Sequence, residues 1–174
     1  MGAAWHAYGT IMVVAVLLLP PLGLLAYQWR GKPALAEAGI VAGSLPWALM
    51  LFTRQDAPRD VELVPLQDLS SWIPAQVVGN LLVLAAFGFF LPMRFGWAAS
   101  LSRVFGLALV TSTLIEVLQW VSAIGRVSSV DDVIVNTVGA VAAAALSRRW
   151  WTGRASVVTP EMVFPDGRDQ LNGR

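Results

Sequence analysis

The chain has 174 residues, 56% of them hydrophobic and only 13% charged, with a net charge of +1 and a mean hydropathy of +0.64. A soluble domain carries about 25% charged residues, so this composition excludes an ordinary water-soluble enzyme domain, and the near-neutral balance offers no footprint for nucleic acid. The absence of cysteine excludes disulfides, thiolate catalysis and cysteine-held metal sites.

Apolar residues fall into blocks of about 20, the length a helix needs to cross a hydrocarbon core of about 30 Å. Five blocks predict an all-α, polytopic membrane helical bundle over residues 1–151, followed by a polar, disordered tail over 152–174. The first span runs from about Tyr8 to Gln28, with Pro20 and Pro21 near its middle. Met1 to Gly9 holds no Lys or Arg, so it reads as a retained helix and not as a cleaved signal. Trp29, Arg30 and Lys32 mark the interface that follows. The second span, about Ala34 to Phe52, contains Glu37 and Pro46, and its shortness allows a tilted or partly re-entrant segment.

The longest polar connection runs from Thr53 to Ser71. A third span follows, from about Ala75 to Phe95, carrying Asn80. Arg94, Trp97 and Arg103 mark its far interface. The fourth span, about Leu101 to Ile124, carries Thr113, Glu116 and Gln119 at three-residue spacing, hence on one helix face. A short turn from Gly125 to Ser129 contains Arg126. The fifth span, about Val130 to Leu146, opens with Asp131 and Asp132 and contains Asn136, Gly139 and Ala143. Arg148, Arg149, Trp150 and Trp151 close it.

With five spans, one face receives Arg30, Lys32, Arg94, Arg103, Arg148, Arg149, Arg154, Arg168 and Arg174, and the other Arg54, Arg59 and Arg126. Basic residues favour the cytoplasm. The N-terminus is therefore expected outside and the C-terminus inside, with the Thr53–Ser71 and Gly125–Ser129 connections facing outward.

A carboxylate within a span costs about 3 kcal/mol or more against lipid, so Glu116 is expected to face other helices, a cation or a ligand. Arg126, ten residues on, is the expected partner. Ser129 with Asp132, and Ser128 with Asp131, have the S-x-x-D spacing of a capping box, which makes Asp131 a helix cap in its plainest reading. Asp132 and Asn136 share a face, and Asn80 is the expected partner of Asn136 across the bundle. With one histidine and no phosphate-binding or nucleophile motif, the residues point to no cofactor and no metal. A binding site is favoured over an enzyme. Catalysis with Glu116 or Asp132 as general base, and a purely structural role, are the alternatives.

The order Glu116, Gln119, Gly125-Arg126, Asp131-Asp132, Asn136, Gly139-Ala140 resembles the signature of the VanZ-like family, E-x-x-Q, G-R, D-D-x-x-x-N-T-x-G-A. Asn80-Leu81-Leu82 through Phe87-Gly88, and Leu63 to Leu66, resemble two further family segments, so the likeness covers about 62–145. Glu62, Leu84 and Ala86 depart from the usual residues. The resemblance implies a small bacterial plasma-membrane protein of the cell envelope, from a family whose founding member is associated with teicoplanin resistance. The expected site comprises Glu116, Gln119, Arg126, Asp131, Asp132, Asn136 and Asn80. It would bind an envelope lipid, a cell-wall precursor or a glycopeptide-related ligand near the outer leaflet.

Overall fold

The computed structural model describes residues 10, 14, 17–18, 21–54, 60–66 and 77–152, with the backbone alone at 74–76. Residues 21–30 are helical (α1), and Gly31 joins them directly to α2, Lys32–Leu51. α3 spans Pro74–Val83, α4 Ala85–Arg94, α5 Leu101–Ser122 and α6 Val130–Ser147. Among the described residues, four helical stretches are long and apolar enough to cross a bilayer: Lys32–Leu51, Val77–Arg94, Leu101–Ser122 and Val130–Trp150. These are the second to fifth expected spans. The first half of the expected Tyr8–Gln28 span lies mostly outside the described residues, as does the tail from 153. The result is an all-α polytopic membrane bundle. Its second segment is a continuous helix of 20 residues, about 30 Å long.

The helices follow the solvent logic of a bilayer. α5 buries Val104, Ala108, Ser112, Glu116 and Gln119, a single stripe at intervals of four, four, four and three. It exposes Phe105, Val110, Leu114, Val117, Leu118 and Val121 on its other sides. Lipid is as apolar as these side chains, so burying them gains little. Close packing holds the helices together instead, and it favours small residues at contacts.

Two contacts of this kind set the geometry. On α2, a side chain at Gly39 would run into the Phe90 ring, and one at Gly43 would meet the β-carbon of Ala86. This G-x-x-x-G face seats α2 on α4. At the second contact, a β-carbon on Gly88 would overlap the Ala140 carbonyl, and one on Gly139 would overlap the Leu81 carbonyl. Each helix therefore supplies the glycine that lets the other's backbone approach, and α6 packs against α3, α4 and α5 alike.

The third span is present over Val77–Arg94 and carries a local irregularity. It breaks at Leu84, where φ is −107° and ψ 7°, separating α3 from α4. The break lies between the two backbone contacts at Leu81 and Gly88, so each half meets α6 on its own line. Pro46 and Pro92 sit inside α2 and α4, and both are buried. Proline within a helix leaves a carbonyl without its N–H partner, which a packed membrane bundle tolerates.

The two polar connections that were read as separate outward loops meet. Val61–Glu62 (β1) pairs in parallel with Ser128–Ser129 (β2), in register Val61 to Ser128 and Glu62 to Ser129. The Ser128 N–H donates to the Asp60 carbonyl at 3.1 Å. The segment 60–66 thus forms a strap across the end of the bundle where α6 begins.

Candidate functional site

α5 carries the polar half of its buried stripe toward its C-terminal end. Ser112 is fully buried, Gln119 is 2% exposed and Glu116 7%. The Glu116 Oε2 accepts the Ser129 N–H at 3.2 Å, and the Glu116 carbonyl accepts the Ser128 hydroxyl at 3.0 Å. The carboxylate therefore faces the start of α6, where unpaired N–H groups and the helix dipole favour negative charge.

Ser129 is the N-cap of α6, its hydroxyl accepting the Asp131 N–H at 3.1 Å. Of the two possible capping boxes, Ser129 rather than Ser128 supplies the cap. Neither acid closes a box: Asp131 Oδ1 accepts the Leu66 N–H at 2.7 Å, and Asp132 Oδ1 accepts from the Asn80 amide. Asp131 is thus the anchor of the strap, not a helix cap. It holds Leu66 at φ 62°, a left-handed conformation that non-glycine residues seldom adopt.

Arg126 does not pair directly with Glu116. Its Nη1 donates to the carbonyls of Met50 and Leu51, each at 3.4 Å. Gln119 Nε2 donates to the same Leu51 carbonyl at 3.0 Å. The last carbonyls of α2 carry its negative dipole end, and the Met50 carbonyl also accepts the Thr53 N–H at 3.3 Å. Two residues from the α5–α6 hairpin therefore cap α2. Arg126 remains within electrostatic range of Asp132 and Glu116. Burial draws its pKa below the ordinary guanidinium value, and those two carboxylates push it back up.

Asn136 does not meet Asn80. Its Nδ2 donates to Ser112 Oγ at 2.9 Å, one turn deeper than the Asn80–Asp132 pair. Its Oδ1 is buried and has no hydrogen-bond partner among the described residues. Ser112 is not among the expected site residues, and Ser128 is expected only as a possible cap of α6. Ser112 lies four residues before Glu116 on the buried stripe, a spacing that could have found it, whereas Ser128 could be assigned only from the fold. Thr113, expected on that stripe, is exposed, and its hydroxyl donates to the Leu109 carbonyl at 2.8 Å.

A cavity of about 360 Å³ opens beside this network. The strap contributes Val61, Glu62 and Leu63 to its lining, α5 contributes Thr113, Glu116, Val117 and Trp120, and the start of α6 contributes Ser128, Ser129, Val130 and Val133. Of the seven expected site residues, only Glu116 lines it. Asn80, Gln119, Arg126, Asp132 and Asn136 lie behind or beside Glu116, while Asp131 ties down the strap. Among the described residues, no cluster of three histidine or acidic side chains is arranged to hold a metal ion.

No curated protein and no solved structure matches this chain. A model of the VanZ/LLP1 family matches residues 40–151, from the middle of α2 to the end of the last membrane helix. That is wider than the 62–145 stretch carrying the motifs, and it takes in Gly43 on the α2–α4 contact and every buried polar residue described above. With well over half its length matched and four apolar membrane-length helices, the chain belongs to the VanZ/LLP1 family of multi-pass membrane proteins.

Proposed function

We propose that this protein binds a membrane amphiphile of the bacterial cell envelope in the groove between the strap, α5 and α6. The amphiphile is an envelope lipid, a lipid-linked precursor or a glycopeptide-related ligand, and Glu116 contacts its polar head. The observation that carries this reading is a nearly buried carboxylate in the wall of a largely apolar cavity, within a segment of membrane length. Isolated carboxylates are too costly to keep at such a position without a role. Ser128 and Ser129 bond to Glu116 directly, while the Asn80–Asp132 and Asn136–Ser112 pairs and the bonds from Gln119 and Arg126 to the end of α2 tie together the helices around it, and Asp131 holds the strap.

The groove faces outward in this proposal. Arg30, Lys32, Arg94, Arg103, Arg148 and Arg149 gather at the other end of the bundle, and basic residues favour the cytoplasmic side. The C-terminus is then cytoplasmic and, with five spans, the N-terminus external.

The test is complementation of a deletion strain, read as teicoplanin susceptibility and envelope lipid composition, with the membrane abundance of each variant measured alongside. Glu116→Gln is expected to lose the phenotype at normal abundance. Full complementation by Glu116→Gln, Arg126→Ala and Asp132→Asn together would remove the proposal. Loss of abundance in step with loss of phenotype would leave the polar residues as interhelical glue. An intramembrane reaction would show instead as turnover of a purified envelope lipid, abolished by Glu116→Gln or Asp132→Asn.

A further inference from the structure

The reading of the groove as an amphiphile site does not say which headgroup it takes, but the donors and acceptors in its wall do. We infer that the groove selects lipids whose headgroup carries a primary ammonium and rejects those that are only anionic.

Among the described residues, the ionisable side chains lining the cavity are Glu62 and Glu116, and no Lys, Arg or His joins them. The nearest cation of the network, Arg126, is turned to the α2 carbonyls and does not line the cavity. A phosphate entering here would meet the Glu116 carboxyl group. The α6 N-terminus, which would ordinarily attract an anion, is already occupied. The Ser129 N–H goes to Glu116, the Asp131 N–H goes to the Ser129 hydroxyl, and Asp131 and Asp132 fill the first turn.

The hydroxyls add to this bias. Thr113 gives its proton to the Leu109 carbonyl, and Ser128 gives its proton to the Glu116 carbonyl. Both are left with lone pairs, so they act as acceptors. Glu116 uses one acceptor position on Ser129 and keeps others. The wall thus offers acceptors to a guest with several donors, and an ammonium group supplies three. Apart from Glu62, the Ser129 hydroxyl and the Trp120 indole, the rest of the lining is apolar. Val117 and Leu63 are 49% and 71% exposed, which opens the groove toward the acyl-chain region. At about 360 Å³ it lies near the small end of ligand pockets, roughly 300–1,000 Å³. It has room for a compact head and the first part of a chain.

The experiment uses the purified full-length protein exchanged into mixed vesicles of phosphatidylethanolamine, phosphatidylglycerol and phosphatidylcholine with matched acyl chains. Lipid retained after repurification is counted by native mass spectrometry. Phosphatidylethanolamine is expected over phosphatidylglycerol by about tenfold, the effect of one charge-assisted hydrogen bond. Phosphatidylcholine, whose ammonium has no N–H, is expected to fall well below phosphatidylethanolamine. Glu116→Gln should bring the ratios close to unity. Val117→Trp, which fills the groove from an exposed position, should remove the retained lipid and remains informative if Glu116→Gln does not fold. Equal or preferred retention of phosphatidylglycerol, equal retention of phosphatidylcholine, or a preference unchanged by either substitution would overturn the headgroup assignment while leaving an amphiphile site standing. Retention of no lipid of any class would overturn the amphiphile reading itself.

Discussion

The two ends of the bundle handle polarity in opposite ways. At the basic end the core is apolar: Ala36, Met93, Val104, Ala144 and Trp151 pack together. Charge is pushed to the rim, where Glu37 and Arg94 pair at 2.6 Å with both side chains well exposed. Arg149 lies 3.9 Å over the Trp150 ring and Arg94 4.7 Å over Phe95. At the other end the rim is a strap of short backbone pairing, and the polar groups are inside. Asn80, Ser112, Glu116, Gln119, Asp131 and Asn136 are all buried. A rim charge meets water or headgroups and needs no particular partner, whereas an inside charge must be satisfied by named neighbours. The lesson lies in where that satisfaction is incomplete: Glu116 opens on a cavity, and Asn136 keeps one unpaired oxygen. Stability accounts for the basic end in full, but not for the polar one.

The largest effect is expected where the two ends are joined. Gly139→Ala would drive a methyl group into the Leu81 backbone and force α3 and α6 apart. A loss of about 3 kcal/mol or more is expected, read as collapse of folded protein in a detergent-denaturation titration. A well-folded Gly139→Ala protein would mean that the close crossing does not hold the ends in register.

Next comes Asn80→Leu, which removes the donor from a largely buried Asp132 carboxylate. It should cost about 2 kcal/mol and reduce the groove's lipid retention as well, because Asp132 and Glu116 belong to one network. A variant that loses stability but keeps retention would separate the network from the groove. At the basic end, Trp151→Phe removes the indole N–H donation to Ser147 Oγ at 2.9 Å and part of the ring packed in the apolar core. It should cost about 1 kcal/mol and leave lipid retention untouched. Smallest of all is Arg94→Gln. Its partner Glu37 is exposed, and pairs of this kind contribute under about 1 kcal/mol. The melting temperature should barely move. A large loss there would show that the basic rim is as tightly specified as the polar interior.

Much of this was legible in the residues, for a definite reason. Oil demands about 20 apolar residues per crossing, so α2, α5 and α6 stand within two or three residues of where apolar run lengths put them. The Ser129 cap follows from a local spacing, and the Glu116–Gln119 face follows from helical periodicity. The G-x-x-x-G of Gly39 and Gly43 was present as a spacing too, and it marks the α2–α4 contact. What misled were the pairings. Arg126 is a reasonable partner for Glu116 by distance along the chain, but the carbonyls at the negative end of α2 compete for it. Asn80 and Asn136 share the end of the bundle where α6 begins, but they sit a turn apart in depth, so each takes a different partner.

The sequence by itself determined the solvent, the helices and the residues that oil forbids from standing alone. Those depend on composition and on periods of three to four residues, which are local quantities. Only the tertiary structure decided which forbidden residue met which neighbour, that Leu84 would break the third span, and that Val61–Glu62 would pair with Ser128–Ser129 to wall a groove. Those outcomes depend on how close two backbones can come, and that is set by glycines more than 50 residues apart in the chain.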